Sequence, residues 1–171
     1  VKRVLITGMS GTGKSTVIRA LAARGYKAVD LDSGEWSHWV PMADDGPADP
    51  PSAPGSAWQN HDWVWREDRV AVLLADSDAE MLFVGGTAAN QGRFHPDFDH
   101  IVLLSAPVSV LVARLASRAT NDYGKDPDEL ARVLQHVDTV EPLLRRAASL
   151  EIDTRIPLDD VVDAVESVAR S

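Results

Sequence analysis

Gly8, Ser10, Gly11, Thr12, Gly13, Lys14, Ser15 and Thr16 fall in one run, GMSGTGKST, where glycines alternate with hydroxyl residues around a single lysine. Gly8 to Ser15 fits the pattern G-x-x-x-x-G-K-[ST], and each residue type has a chemical reason to be there. Glycine lets the backbone curl until successive N–H groups converge on phosphate oxygens. A helix that opens at the lysine adds the positive end of its dipole. Lys14 is then expected to reach the β- and γ-phosphates, and the Ser15 hydroxyl to coordinate Mg²⁺. The pattern predicts a site for a nucleoside triphosphate with Mg²⁺.

Such a loop works only between a strand and a helix. An apolar run, Arg3–Thr7, precedes it, and Val17, Ile18, Leu21 and Ala22 follow at helical spacing. Asp30 and Asp32 end a second short apolar run. They lie two apart and so point the same way, and a strand end beside the loop would face them toward bound phosphates. A third run, Met81–Val84, ends in Gly85-Gly86-Thr87. Motor and switch ATPases carry an acidic residue at that place. Its absence, and the absence of an Asn-Lys-x-Asp guanine-reading motif, weigh against ATPase and GTPase readings.

The remaining pattern supplies the scaffold. Apolar runs at His100–Leu104 and Leu150–Asp153 complete a set of five strands. Leu130, Val133, Leu134 and Val137 form one helical apolar face, and Val161, Val162, Val165 and Val168 another. Buried strands joined by helices imply a parallel sheet covered on both faces. Residues 41–60 break the rhythm with half of the ten prolines, so no regular element is expected there. All five tryptophans, Trp36, Trp39, Trp58, Trp63 and Trp65, lie in or beside this segment. It reads either as a loop whose tryptophans pack on the core or as a flap over an aromatic-lined pocket.

Composition narrows the partners. The 171 residues suit one domain and carry a net charge of −9 with only four lysines, Lys2, Lys14, Lys27 and Lys125. No cluster of Lys and Arg offers a face to nucleic acid. There is no cysteine for a disulfide or a thiolate metal site. No apolar run approaches the roughly 18 residues of a membrane span, and no signal peptide is recognisable. The expectation is a cytoplasmic protein with neither a nucleic acid nor a membrane partner.

Several motifs resemble the small P-loop kinases. GMSGTGKST is similar to the loop of gluconate kinase. VDLDSG resembles the Asp-x-Asp of shikimate kinase, VGGT its Gly-Gly-Gly, and EPLLRRAASLEIDT its late Pro-Leu-Tyr…Asp-Thr stretch. RLASR resembles the paired arginines that open the lid of adenylate kinase. The resemblance implies an α/β P-loop three-layer sandwich with a five-stranded parallel sheet in the order 2-3-1-4-5. It implies one domain over 1–171, with an acceptor-binding insert at about 33–77 and a lid at about 119–128.

For the site, the resemblance implies that Asp30 holds Mg²⁺ through water and that Asp32 orients or deprotonates the acceptor hydroxyl. Arg114 would pack on the adenine and Arg118 would reach the phosphates, with Arg155 and Pro157 completing the ATP site. Trp65-Arg66 resembles the Phe-Arg whose arginine binds the acceptor. Trp36, Arg69, Gly85, Gly86 and Arg93 are expected on the same side, and Lys125 at the tip of the lid. Two positions depart from shikimate kinase: Val140 replaces an arginine that binds the substrate carboxylate, and Thr87 replaces the third glycine. Loss of a bidentate carboxylate partner argues against shikimate as the substrate. Pro142 is expected to break a late helix. The implied activity is transfer of the ATP γ-phosphoryl group to a hydroxyl of a small-molecule acceptor, with Lys14, Asp32 and Arg118 as catalytic groups. Two alternatives remain open: a nucleoside monophosphate kinase using Arg66, Arg69 and Arg93, and a non-catalytic nucleotide-binding protein.

Overall fold

Strand β1 (Lys2–Thr7) is buried from Val4 to Thr7 without alternation, as a strand covered on both faces must be. In the computed structural model, which describes residues 1–42, 61–76, 78–119 and 122–171, it lies at the centre of a five-stranded parallel sheet. Its neighbours are β5 (Met81–Gly85), with Ile6 opposite Gly85, and β6 (His100–Ser105), with Ile6 opposite Val102. Strands β2 (Lys27–Asp30) and β7 (Leu150–Asp153) form the edges. The order is β2-β5-β1-β6-β7, which is 2-3-1-4-5 when only these five strands are numbered.

Successive side chains of the central strands enter opposite cores. Val4, Ile6, Phe83, Val102 and Leu104 pack against α1 (Lys14–Ala23) and α6 (Leu158–Ala169) through Val17, Ile18, Leu21, Val161, Val162 and Val165. Leu5, Leu82, Val84 and Ile101 face the other way, toward Val70, Leu73 and Leu74 of α2 (Glu67–Ala75) and toward Phe94 and Phe98. A third cluster joins Met9 of the phosphate loop to Leu103, to Leu111 of α3 (Val108–Ser117) and to Leu144 of α5 (Glu141–Ala147). Helix α4 (Pro127–Thr139) stops just before α5, with Val140 between them and Pro142 in the first turn of α5, so the expected break is present.

The insert differs from expectation. Ser37–Pro41 (β3) and His61–Trp65 (β4) form an antiparallel ribbon in which Trp39 pairs with Trp63. The Pro-rich stretch between them hid the two strands. Trp58 and the 44–55 part of the supposed flap lie outside the described residues. Among the described residues, no helix is long and apolar enough to cross a membrane.

Candidate active site

All the chemistry-bearing ends of the parallel strands reach one edge of the sheet, the expected ligand crevice of such folds. There the chain turns from β1 into the loop Gly8–Gly13 and then into α1. Gly8 is glycine because a Cβ would run into the carbonyl oxygen of Leu104. Gly13 takes left-handed φ, ψ of 99° and 18° as N-cap and supplies no capping side chain. The first-turn N–H groups of α1 have no carbonyl within the helix to bind. They therefore remain available to a cavity of about 470 Å³ lined by the loop, Arg114, Arg118, Thr154 and Ile156.

Lys14 is not solvent-facing. It is 9% exposed, and its Nζ donates to the carbonyl oxygens of Gly8 at 2.8 Å and Met9 at 3.1 Å. Burial holds its ammonium below the usual lysine range, and Arg118 acts in the same direction. Asp32 and Asp30 oppose the shift.

The Ser15 hydroxyl donates to Asp30 Oδ2 at 2.5 Å, and Asp30 Oδ1 accepts the Asp32 N–H at 2.9 Å. Asp30 thus fixes both the candidate metal ligand and the start of the Asp32 turn. The hydroxyl and carboxylate together form a hard-oxygen donor pair that suits Mg²⁺, which binds through one or two protein groups plus phosphates. No cluster of three or more His, Asp or Glu among the described residues could hold a metal without such help. Asp30→Asn is expected to raise the Mg²⁺ concentration needed for half-maximal nucleotide binding several-fold, about fivefold or more. A Mg²⁺ titration monitored with a fluorescent nucleotide checks this.

Asp32 projects from the end of β2 to the end of β5. Its Oδ1 accepts the Thr87 N–H at 3.3 Å. Burial pushes its carboxyl above the ordinary range, and Asp30 adds to the effect. Lys14 and hydrogen bonds from Thr87 and Trp63 restrain it. Asp32 thus lies beside the end of β5, which carries no carboxylate of its own. Gly86 leaves room for it, since a Cβ there would stand 3.3 Å from Asp32 Oδ1.

Thr87 explains its own departure from the Gly-Gly-Gly pattern. Its Oγ1 donates to the Gly8 carbonyl at 2.6 Å, accepts the Gly8 N–H at 3.1 Å and lies 3.0 Å from Thr7 Oγ1. It ties β5 to the phosphate loop. Thr87→Val keeps the shape but strands the Gly8 N–H, which should cost about 1–3 kcal/mol of stability. Denaturant unfolding measures this.

The two arginines of RLASR both line the nucleotide-sized cavity. Arg114 is held in place by Thr154, donating to its Oγ1 at 2.7 Å and its carbonyl at 2.8 Å, with the Gly11 carbonyl at 3.3 Å. Arg118 donates to the Tyr123 carbonyl, and its Nε is buried with no partner. Burial lowers its pKa. Lys125 pairs with the exposed Asp122 at 3.3 Å. Residues 120 and 121 of the expected lid lie outside the described residues. Arg155 turns to Asp153 at 2.7 Å, and Pro157 caps α6; neither lines the cavity, although their neighbours Thr154, Ile156 and Leu158 do.

A second cavity of about 490 Å³ adjoins the first. Trp39, Trp63, Asp62, Arg132, His136 and Val140 are among its walls. It shares Ser10, Lys14 and Asp32 with the nucleotide-sized cavity. Gly86 stands beside Asp32, but the other expected acceptor residues do not line this cavity. Arg66, Arg69 and Arg93 line a separate pocket on the outer side of the ribbon. Arg66 Nε donates to the Gly34 carbonyl at 3.3 Å, Arg69 donates to the Glu35 carbonyl, and Arg93 pairs with Glu67 at 2.9 Å. Trp65 is 1% exposed in the core against Phe94, and Trp36 packs on the same cluster. Gly85 faces α1, where a Cβ would come within 2.5 Å of Ile18 Cγ1. The residues missed in the sequence, Glu129, Arg132 and His136, sit three to four apart on α4. That spacing marks one helix face, and it was the available signal.

A family model described as an AAA domain matches residues 4–135. The chain belongs to this AAA-domain family. The matched region runs from β1 into α4 and so includes the phosphate loop, both aspartates and most of the second cavity. Solved structures place the fold among the P-loop kinases. One similar structure is a shikimate kinase from Acinetobacter baumannii in complex with shikimate, with 21% identity, a TM-score of 0.64, and coverage of 98% of this chain and 92% of that one. Another is a gluconokinase from Sinorhizobium meliloti 1021, with 19% identity, a TM-score of 0.57, and coverage of 99% and 91%. A shikimate kinase from Bacteroides thetaiotaomicron shares 15% identity at a TM-score of 0.57, each chain covered to 99%. No curated protein matches the sequence.

Proposed function

We propose that this AAA-domain member is a cytoplasmic, Mg²⁺-dependent kinase that transfers the γ-phosphoryl group of ATP to a hydroxyl of a small molecule other than shikimate. The observation that carries the reading is the junction of two cavities at Ser10, Lys14 and Asp32. A triphosphate in the first cavity would end where a hydroxyl in the second begins.

Asp32 accepts the acceptor's hydroxyl proton while the oxygen attacks the γ-phosphorus. A new P–O bond forms, the bond to the β–γ bridging oxygen breaks, and its electron pair leaves with ADP. Lys14 swings from the Gly8 and Met9 carbonyls onto the phosphates and offsets the charge that develops there. Arg118, with an unpartnered Nε, adds a second cation. Ser15 and Asp30 would hold Mg²⁺, which when bound would supply further positive charge at the transferred phosphoryl group. The ribbon and α4 shield the junction from water, which competes with the acceptor.

Shikimate is disfavoured by Val140, an apolar wall of the acceptor cavity where the resemblance calls for a guanidinium. A nucleoside monophosphate acceptor is disfavoured by Arg66, Arg69 and Arg93, which line the outer pocket instead. A coupled ADP-release screen across sugars, aromatic alcohols, nucleosides and nucleotides tests the proposal. Release stimulated by a hydroxyl compound, and lost in Asp32→Asn, supports it. A protein that binds nucleotide tightly but turns over none of these classes is the non-catalytic alternative.

A further inference from the structure

The walls of the acceptor cavity are chemically unequal. On the ribbon side, Trp39 and Trp63 lie with ring centroids 5.0 Å apart, and Tyr123 extends the aromatic surface 6.4 Å from Trp39. On the other side, α4 presents Glu129, Arg132 and His136. A cavity of about 490 Å³ with such faces suits a ligand of one or two rings.

The charges decide what the ring carries. Lys14, Arg118 and Asp32 are engaged by phosphoryl transfer. Arg132 is turned to the ribbon: its Nη2 donates to the His61 carbonyl at 2.7 Å, its guanidinium lies 5.6 Å from the Trp39 centroid, and Asp62 Oδ1 is 4.0 Å away. Burial, aided by Arg132 and opposed by Asp62, holds His136 below the usual histidine range. Burial likewise keeps the Tyr123 phenol protonated. Glu129 then remains, a half-buried carboxylate in the cavity wall. Asp62 and Glu129 outnumber Arg132. A ligand that closes over Glu129 strips its water, which is costly unless the ligand brings a positive partner. A carboxylate or phosphate would add repulsion to that cost.

We infer that the acceptor is a ring-bearing amino alcohol, with its ring against the tilted pair Trp39 and Trp63, its ammonium against Glu129 and its hydroxyl at Asp32. This rests on the kinase reading of the same cavity. The aromatic faces also favour a cation by their own electrostatics.

Three matched probes test it: 2-amino-1-phenylethanol, 1-phenylpropan-1-ol and mandelate, which differ mainly in charge. Each is titrated against tryptophan fluorescence with Mg²⁺ and ADP present. The ammonium probe is expected to bind about tenfold more tightly than the neutral one, a difference of one ion pair in partly screened surroundings. Mandelate should be the weakest. Glu129→Gln should bring the ammonium and neutral probes to near parity, and Glu129→Lys should make mandelate the best of the three. Mandelate binding as tightly as the amine to the unaltered protein overturns the inference. So does an amine preference that survives Glu129→Gln, or failure of all three probes to bind. Failure of the kinase reading looks different: the amine binds with the expected preference, yet no phosphate ester forms with ATP. Turnover of a neutral sugar or a nucleotide in place of the amine leaves the kinase reading standing and removes this inference.

Discussion

Lys14→Ala is expected to slow phosphoryl transfer by on the order of a thousandfold or more, because it removes a charge placed to meet the transferred group. The fold should survive. Both carbonyls that Lys14 serves keep another donor: Thr87 Oγ1 on Gly8 at 2.6 Å and Thr12 Oγ1 on Met9 at 2.8 Å. Steady-state rates with a saturating acceptor, together with a thermal melt, separate the two effects. Near-normal turnover would remove Lys14 from the chemistry.

Asp32→Asn should lower kcat by on the order of a hundredfold to ten-thousandfold, the usual range for a positioned proton acceptor, with little change in ATP affinity. Two further signs distinguish it from a general structural lesion. Asp32 must be ionised to accept a proton, and burial raises its pKa. Activity should therefore fall with acidification at a pH above the ordinary carboxylate range, and the substitution should abolish that limb. The stability effect runs in the opposite direction. A carboxyl whose folded pKa lies above its unfolded value stabilises the fold most below the unfolded pKa. That contribution is lost as pH rises through the folded pKa. At neutral pH the charged Asp32 is a burden, so Asp32→Asn should melt no lower than the unaltered protein, and higher if Lys14 does not compensate.

The parts legible in the sequence were those whose signal is local. Val4–Thr7 before Gly8 and Val17, Ile18 and Leu21 after Lys14 specify strand, loop and helix within twenty residues, whereas the sheet order was what the resemblance to the small P-loop kinases implied. Asp30 and Asp32 were readable because a strand's period fixes their common direction. The second cavity was harder to read because its walls come from separate segments. Trp39 and Trp63 meet only through pairing across the Pro-rich stretch. That pairing also sends Trp65 into the core and starts α2 at Glu67, which carries Arg66 and Arg69 to the outer pocket. On α4, the apolar residues Leu130, Val133, Leu134 and Val137 suggested a buried face, but Val133 alone is fully buried. The inward face carries Glu129, Arg132 and His136 as well, and polar side chains that line a cavity look like a solvated surface in sequence.

Glycines were read as ligand contacts where packing accounts for one of them. Gly85 is small because Ile18 of α1 occupies the space beside it, whereas Gly86 makes room for Asp32. The GGT turn is thus part helix-packing device and part site. Its threonine, chemically unlike the glycine in the resembling motif, ties the phosphate loop to β5.

The most direct test of the account follows the phosphorus. ATP labelled in its γ-phosphoryl group is incubated with Mg²⁺, the protein and a pool of hydroxyl compounds that includes ring-bearing amino alcohols, and the products are separated by charge. The label is expected in a phosphate monoester of one compound class, in amounts equal to the ADP formed, with ester formation at least about a hundredfold slower when Asp32→Asn replaces the protein. Label found only in inorganic phosphate, or retained in ATP that is nonetheless bound, would contradict a kinase whose two cavities meet at Lys14 and Asp32.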